Sequence, residues 1–240
     1  MSMLRRVVAD VVSLLYPREC AVCGDALVEG EEFVCTTCRF RIPLTGFALQ
    51  SDNPMKERLS ALVPIREASA HFFFVADSHW QRAIHDFKYY GRWLHAHNLG
   101  VWYGHLLRQS GNYDDIDIVV PVPLHNRKLL KRGYNQSDYI ADGIASVLGV
   151  KVVRHALVRI VNNESQTHQS RHERWDNVEG NFAVRHPESL SGKHILLVDD
   201  VLTTGATVIA CCEAMLAACD DIEMSVATLS VSQREFSFDR

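Results

Sequence analysis

The sequence lacks long hydrophobic runs and has no large excess of charge of either sign. No apolar stretch in the 240 residues approaches the roughly 18 needed to cross a bilayer, so we expect no membrane insertion. Lys and Arg number 25 against 29 Asp and Glu, a formal net charge of −4, which argues against a global basic surface for nucleic acid or anionic membranes. The 47% of hydrophobic residues argues against a disordered chain.

Features of a secretory leader are also lacking. Arg5 and Arg6 precede the apolar stretch 7–12, but Asp10 interrupts that stretch and no small-x-small cleavage site follows it. We therefore expect a cytoplasmic protein. In a reducing compartment, closely spaced cysteines point to metal binding before disulfide formation.

The pattern along the chain predicts four segments. Residues 1–17 form an amphipathic helix that either packs on the body of the protein or docks a partner, residues 18–45 are a Cys-rich minidomain, residues 46–66 are a linker, and residues 67–240 are the main domain. The stripe of the first helix consists of Leu4, Val7, Val8, Val11, Val12 and Leu15.

The main domain alternates apolar strands with helical patterns, which is typical of a parallel sheet covered on both faces. We predict an α/β fold. Strands are expected at 71–75, 116–120, 150–158, 195–198 and 224–229, and helices at 78–108, with Gly91 and Gly100 as interruptions, at 140–148 and at 207–218.

Four cysteines are arranged as two pairs with metal-ligand spacing. Cys20 and Cys23 are followed after eleven residues by Cys35 and Cys38. Two such knuckles can close a tetrahedral zinc site with no open position, so the expected Zn²⁺ is structural. Two disulfides or unrelated thiols are the alternatives. Cys211, Cys212 and Cys219 are expected as buried apolar residues without a role.

An acid pair followed by a Thr- and Gly-rich turn is the strongest candidate site. Asp199 and Asp200 end an apolar strand, and a helix begins after the turn. The turn and the helix N-terminus suit a phosphate, whereas two acids suit sugar hydroxyls or Mg²⁺. The combination predicts a sugar phosphate, and an ordinary strand–loop–helix turn is the alternative. The candidate turn residues are Val201, Leu202, Thr203, Thr204, Gly205, Ala206 and Thr207.

These residues resemble the signature of type I phosphoribosyltransferases, which bind 5-phosphoribosyl 1-diphosphate. The resemblance implies that the acid pair holds the ribose hydroxyls and that 201–207 hold the 5-phosphate. Further motifs are similar to the ComF family, which joins an N-terminal zinc ribbon to a phosphoribosyltransferase-like domain. Those motifs are 88–92 (KYYGR), 120–124 (VPVPL), 131–136 (KRGYNQ), and Ser165-Gln166 with Arg174 and Asn177.

Basic residues between 124 and 174 indicate where an anionic group would bind. In transferases of the type that the sequence resembles, a loop after an early strand holds the pyrophosphate. The resemblance therefore implies Arg127 and Lys128, in the loop beginning at Pro121, as candidates for the diphosphate, with Arg132 next; a solvated basic turn is the alternative. Residues 159–177 suit a lid over the leaving group. The pair His168 and His172 is a weak metal candidate, because no third ligand is apparent.

Two functions are compatible with these observations. The first is a Mg²⁺-dependent phosphoribosyltransferase with an unknown acceptor. The second is a non-catalytic component of DNA uptake, because the resemblance to ComF implies natural competence, single-stranded DNA and a helicase-like partner. The basic stretch supports DNA binding, but a sugar diphosphate would account for the same charges.

Overall fold

The computed structural model describes residues 18–89, 91–160 and 181–236. The predicted helix over 1–17 lies outside these residues. So does the segment 161–180, which contains most of the predicted lid, the motif residues Ser165, Gln166, Arg174 and Asn177, and the histidine pair His168 and His172.

The main sheet has five parallel strands in the order β1-β7-β6-β2-β3. Two further short strands, β4 and β5, pair antiparallel in a separate sheet. The predicted α/β class with a mostly parallel sheet is therefore confirmed. The strands are β1 Glu67–Phe74, β2 Ile118–Pro121, β3 Lys151–Val152, β4 Leu157–Arg159, β5 Phe182–Val184, β6 His194–Leu202 and β7 Glu223–Ser232.

Helices cover both faces of this sheet, as the apolar strands require. One core cluster includes Tyr103, Ile140 and Leu196, and the other, built around alternate residues of β6, includes Leu197 and Met215. The helices are α1 Thr36–Phe40, α2 Pro54–Ser60, α3 His79–Tyr89, α4 Trp93–Ser110, α5 Asn126–Arg132, α6 Gln136–Leu148, α7 Ala206–Ala218 and α8 Gln233–Phe236.

Three predicted elements differ from the structure. The single strand expected over 150–158 is divided into β3 and β4, because His155 adopts a left-handed conformation (φ 64°) and turns the chain between them. Strand β6 does not end at Val198 but continues to Leu202, so the acid pair lies within a strand. Gly100 does not interrupt a helix; it lies inside α4.

Residues 46–66, which are predicted to be a linker, are a packed segment in the structure. The side chain of Asn53 accepts hydrogen bonds from the backbone N–H groups of Met55 and Lys56 and so begins α2. Met55 and Leu59 on this helix are fully buried in the core. The segment therefore supports the sheet rather than only connecting two domains.

The Cys-rich segment shares a core with the main domain. Its buried residues, including Val22 and Phe33, belong to the same apolar cluster as α4 and α6. The centre of the Phe33 ring lies 4.6 Å from that of the Trp102 ring of α4, and the Arg39 guanidinium lies over the Trp102 ring, 5.2 Å from its centre. Among the described helices, none is long and apolar enough to span a membrane.

Candidate functional site

Two local structures carry the candidate chemistry, and the first is the cysteine cluster. The four sulfur atoms of Cys20, Cys23, Cys35 and Cys38 all lie within 4.8 Å of one another. The sulfurs of Cys23 and Cys35 are 3.8 Å apart, close to the edge of a tetrahedron with bonds of about 2.3 Å to zinc. The donor set and its geometry therefore fit a structural zinc ion.

Backbone N–H groups point at these sulfurs, as expected for thiolates. Val22 and Cys35 donate to the sulfur of Cys20 over 3.4 and 3.3 Å, and Cys38 donates to that of Cys35 over 3.4 Å. Burial opposes ionisation of Cys20, but these donors outweigh it and lower the pKa to about 7. Gly24, at φ 83°, allows the turn that returns the chain from Cys23 to Asp25.

The second structure is the acid pair with the turn after β6. Asp199 pairs with Thr228 of β7, and both aspartates are half-buried at the carboxyl end of the parallel sheet. Ligands of parallel α/β sheets bind at this edge. Asp199 Oδ1 accepts hydrogen bonds from the Ser137 hydroxyl (3.0 Å) and from the Asp200 backbone N–H (2.8 Å). Two donors therefore fix the orientation of the Asp199 carboxylate.

The turn itself has the conformation of a helix N-terminus. Gly205 is the N-cap of α7 at φ 91°, a backbone conformation that L side chains rarely adopt. A Cβ on Gly205 would lie 3.2 Å from a methyl group of Leu59, so α2 packs directly against the turn. A small concavity of about 40 Å³ is lined by Asp199 and by residues 201–208. The structure thus brings Asp199 and all seven predicted turn residues together around one hollow.

A larger cavity of about 500 Å³ lies beside the carboxyl end of β2. Asn135 and Asp138 of the α6 N-terminus line it, and Ser137 between them holds Asp199, so one helix start connects the two hollows. Burial raises the pKa of Asp138, although the Asn135 amide donates to its carboxylate over 3.0 Å. The cavity wall also carries the basic residues Arg154, His155, Arg159 and Arg185.

The predicted diphosphate residues lie near this cavity but differ in their surroundings. Arg127 and Lys128 are exposed on α5, a helix where the sequence analysis expects a loop. Of the described α5 residues, Asn126 and Leu129 line the cavity. The Arg132 guanidinium donates to the Gln136 side-chain oxygen over 3.2 Å.

The field at the start of α5 is positive. Burial lowers the pKa of His125, and the nearby charges of Arg159, Arg127 and Lys128 lower it further. Three cations therefore contribute positive potential at this imidazole.

The sequence did not identify Ser137, which donates to Asp199, or Leu59, which packs against Gly205. Ser137 directly follows the 131–136 motif, and Asn135 is a recognisable N-cap whose side chain accepts from the Ser137 N–H. That signal could have placed Ser137 in the first turn of a helix. Nothing in the sequence around Leu59 indicates contact with a residue 146 positions away.

Comparisons with known proteins identify two domains. Residues 134–231 match the model described as "Phosphoribosyl transferase domain", and residues 11–48 match "Double zinc ribbon domain". The second match includes the four clustered cysteines. The seven cysteines of the sequence divide into these four and three on or next to α7, so the chain offers one four-cysteine set.

Curated relatives match less than half of this chain. "DNA utilization protein YhgH" of Salmonella typhimurium is 33% identical over 111 residues, covering 46% of this chain and 48% of that protein. "Competence protein ComFC" of Bacillus subtilis is 34% identical over 90 residues, covering 38% and 34%. The chain therefore spans half the length of these relatives or less. A solved adenine phosphoribosyltransferase aligns over 75% of this chain and 91% of its own with 14% identity and a TM-score of 0.38, which is too low to add to the domain match.

Proposed function

We propose that this chain is a ComF-type protein, which binds 5-phosphoribosyl 1-diphosphate at the turn after β6 and transfers the phosphoribosyl group to an acceptor. One observation carries the proposal. An aspartate pair, with Asp199 fixed by two hydrogen bonds, stands directly before a glycine-capped helix start. Asp199 and the turn line one hollow, which Asp200 does not line, and this hollow offers acceptors for sugar hydroxyls and N–H donors for a phosphate.

The 5-phosphate would bind at residues 201–207. Backbone N–H groups at the start of α7 have no partner within the helix, and the helix dipole favours an anion there. Thr203 is exposed, Thr204 and Thr207 are half-buried, and all three residues line the hollow. The close approach of phosphate to backbone is consistent with glycine at position 205.

The acid pair would bind the ribose. Carboxylates accept hydrogen bonds from the 2- and 3-hydroxyls, which orients the sugar. In the transfer, the bond from ribose C1 to the diphosphate oxygen breaks, a bond from C1 to the acceptor forms, the acceptor loses a proton, and pyrophosphate leaves. Positive charge develops on the sugar ring as the first bond lengthens, and the nearby carboxylates stabilise it.

The donor set also fits Mg²⁺, because adjacent carboxylates are the hard oxygen ligands this ion prefers. Asp199 and Asp200 are the residues that would hold it together with the sugar diphosphate. Mg²⁺, when bound, supplies charge neutralisation for the leaving diphosphate. Arg127, Lys128 and Arg159, which contribute to lowering the pKa of His125, would add positive charge for the diphosphate in this proposal.

The names of the relatives suggest the biological setting. Proteins named for DNA utilization and competence share this domain, so we propose a cytoplasmic role in handling imported DNA, with single-stranded DNA and a helicase-like protein as partners. The positive charge around α5 supports a second candidate function, in which the protein binds single-stranded DNA without turnover.

Ligand-induced thermal stabilisation tests the proposal. We expect millimolar 5-phosphoribosyl 1-diphosphate with Mg²⁺ to raise the melting temperature of the natural protein, and the double variant D199N/D200N to abolish that rise. D220N/D221N is the matched control, because this second acid pair lies next to the opposite end of the sheet, just before β7. Equal stabilisation of D199N/D200N would contradict the assigned site.

Pyrophosphate release separates transfer from binding. With the ligand bound, release that depends on an added base or amine supports a transferase, whereas binding without release supports the non-catalytic function. Affinity for single-stranded DNA that falls steeply with salt concentration would indicate phosphate contacts by the basic residues near α5.

A further inference from the structure

Three side chains with metal-ligating atoms meet at the amino end of the parallel strands. His194 and Glu223 are the first residues of β6 and β7 and are partners in the strand register, and Asp115 lies between α4 and β2. One ligand atom from each residue lies within 4.8 Å of the other two. We propose that this cluster binds a divalent transition metal ion of the Zn²⁺ type and that Arg66 is the cation with which the metal competes.

The imidazole of His194 is buried and oriented into the cluster. The residue is 6% exposed, and its Nε2 lies 2.8 Å from the Ser225 hydroxyl oxygen. Its Nδ1 lies 3.2 Å from Asp115 Oδ1, but no hydrogen bond joins these atoms, and among the described residues Nδ1 has no hydrogen-bond partner. A buried ring nitrogen without a partner costs free energy, and a metal ion bound to Nδ1 would remove that cost.

The contact with Ser225 resembles the support that histidine ligands usually have. A metal-binding histidine donates its second ring N–H to a fixed neighbour, which orients the ring and leaves a lone pair on the other nitrogen. Ser225 is fully buried, and its hydroxyl oxygen also accepts a hydrogen bond from the Glu67 N–H over 3.2 Å. When Nε2 donates to Ser225, the lone pair of Nδ1 faces an oxygen of Asp115. A metal ion between these two acceptors satisfies both, and a proton on Nδ1 is the state that competes with it.

The donor set and its spacing indicate the class of metal. One imidazole and two carboxylates suit Zn²⁺ and its neighbours in the first transition series, whereas Mg²⁺ and Ca²⁺ prefer oxygen ligands alone. The 3.2 Å between His194 Nδ1 and Asp115 Oδ1 is close to the edge of a tetrahedron with bonds of about 2.0 Å. The side chains of Asp115 and Glu223 are 48% and 59% exposed, so water can complete the coordination.

Arg66 contacts both acids of the cluster. Its Nη1 lies 2.5 Å from Asp115 Oδ2 and 2.7 Å from Glu223 Oε2. The guanidinium neutralises the two carboxylates, so a metal ion has to compete with it. Because the Arg66 side chain is 47% exposed, these ion pairs are weak, and the guanidinium can move into water. Asp115 meanwhile keeps its other oxygen, Oδ1, directed at His194.

This cluster is distinct from the proposed Mg²⁺ and sugar-phosphate site, and the inference does not rest on that site. His194 and Asp199 are five residues apart on β6, which corresponds to about 16 Å along a parallel strand. A further acid beside the cluster adds negative potential, because Asp117 Oδ2 accepts a hydrogen bond from the His194 backbone N–H over 2.8 Å. Competition from Arg66 makes the metal exchangeable, so we expect dialysis against metal-free buffer to remove it while the cysteine-bound zinc is retained.

Cobalt binding to the untagged full-length protein tests the proposal. Co²⁺ accepts the same ligands as Zn²⁺. It is counted separately from zinc by elemental analysis after equilibrium dialysis, and an unchanged zinc content shows that the cysteine cluster is intact. We expect one Co²⁺ per chain in the natural protein. Asp115→Asn and Glu223→Gln, which keep the side-chain shape but remove a ligand charge, should each weaken this binding by at least about tenfold.

Asp220→Asn is the matched control for these two variants. Asp220 is exposed and precedes β7, but it lies outside the cluster, so its variant should bind as much Co²⁺ as the natural protein. Equal Co²⁺ binding by the natural protein, Asp115→Asn and Glu223→Gln, or no Co²⁺ bound by the natural protein, would overturn the metal site.

Arg66→Gln gives a second measurement with the opposite sign. Loss of the competing guanidinium should let the site fill at a several-fold lower free Co²⁺ concentration. Arg58→Gln is the control, because it removes the ion pair with Glu235, away from the cluster. Unchanged or weaker Co²⁺ binding by Arg66→Gln would show that Arg66 does not compete with the metal.

Discussion

At the residue scale, Ser137 connects the acid pair to the body of the protein. Its side chain is 3% exposed, and its hydroxyl donates to Asp199 from the first turn of α6. The backbone N–H of Asp200 donates a hydrogen bond to the same oxygen of the Asp199 carboxylate. Without the hydroxyl, the carboxylate would lose a constraint on its direction, so Ser137 is a positioning residue for the proposed ribose site.

We expect Ser137→Ala to weaken the stabilisation by 5-phosphoribosyl 1-diphosphate and Mg²⁺ by roughly 5- to 30-fold in apparent affinity, since a hydrogen bond to a charged group contributes about 1–2 kcal/mol. Ligand titration followed by melting temperature measures this effect. Ser146→Ala is the control, because that hydroxyl lies on α6 but donates to the Gly143 carbonyl. An unchanged affinity in Ser137→Ala would show that Asp199 needs no such support.

At the element scale, close contact between α4 and α6 holds the first turn of α6 within hydrogen-bond distance of Asp199. A Cβ on Gly143 would lie 2.2 Å from the His97 carbonyl oxygen, and one on Gly100 would lie 2.4 Å from that of Ile140. Both positions therefore need glycine because two helix backbones cross there. Ser137 stands at the start of the helix that this crossing holds in place.

We expect Gly143→Ala to destabilise the protein by about 1–3 kcal/mol through overpacking against a backbone that cannot move aside. In an uncrowded helix the same change stabilises by roughly 0.5–1 kcal/mol, so the sign of the effect is diagnostic. Urea unfolding measures the free energy. Ala at exposed position 146 should leave it nearly unchanged, and a gain in stability for Gly143→Ala would contradict the crossing geometry.

The elements differ in how far the sequence predicts them. Apolar runs such as 195–198 and 116–120 identify central strands, because strands buried on both faces are apolar throughout. The division of 150–158 depends on the left-handed turn at His155, which no residue pattern indicates. The role of 46–66 depends on contacts distant in sequence, such as Leu59 with Gly205, so proline and polar residues there suggest a linker although the segment is packed.

The candidate site also combines residues that the sequence identifies with residues that only the fold brings together. Asp199 and the 201–207 turn are adjacent in sequence, so their chemistry is readable as one motif. The basic residues of the large cavity come from the β3–β4 turn, β4 and the end of β5, and only the fold brings them together. Arg127 and Lys128, predicted from charge alone, lie exposed on a helix.

At the scale of the whole molecule, the ribbon and the sheet domain share one apolar cluster. The ribbon contributes Cys20, Val22 and Phe33 to it, and α4 contributes Tyr103 and other residues. Because the ribbon is too small to hold a core by itself, its contribution depends on the metal that would fix its four cysteines.

We expect elemental analysis to find one zinc ion per chain, and removal of zinc by a chelator to lower the melting temperature by at least about 10 °C, as loss of several kcal/mol would do in a protein of this size. Cys35→Ser should have the same effect. Cys219→Ala, at the end of α7, should retain the zinc. A folded protein of unchanged stability without zinc would contradict the metal assignment.

The contact of Phe33 and Arg39 with Trp102 has a practical consequence for anyone who divides this protein. A fragment starting at residue 46 would leave the Trp102 indole in water, and a ribbon grafted onto another protein would carry an uncovered Phe33. Neither piece is a portable module, so truncation would confound loss of an activity with loss of solubility. Point substitutions in the intact chain are the dependable way to assign a function to the ribbon or to the sheet domain.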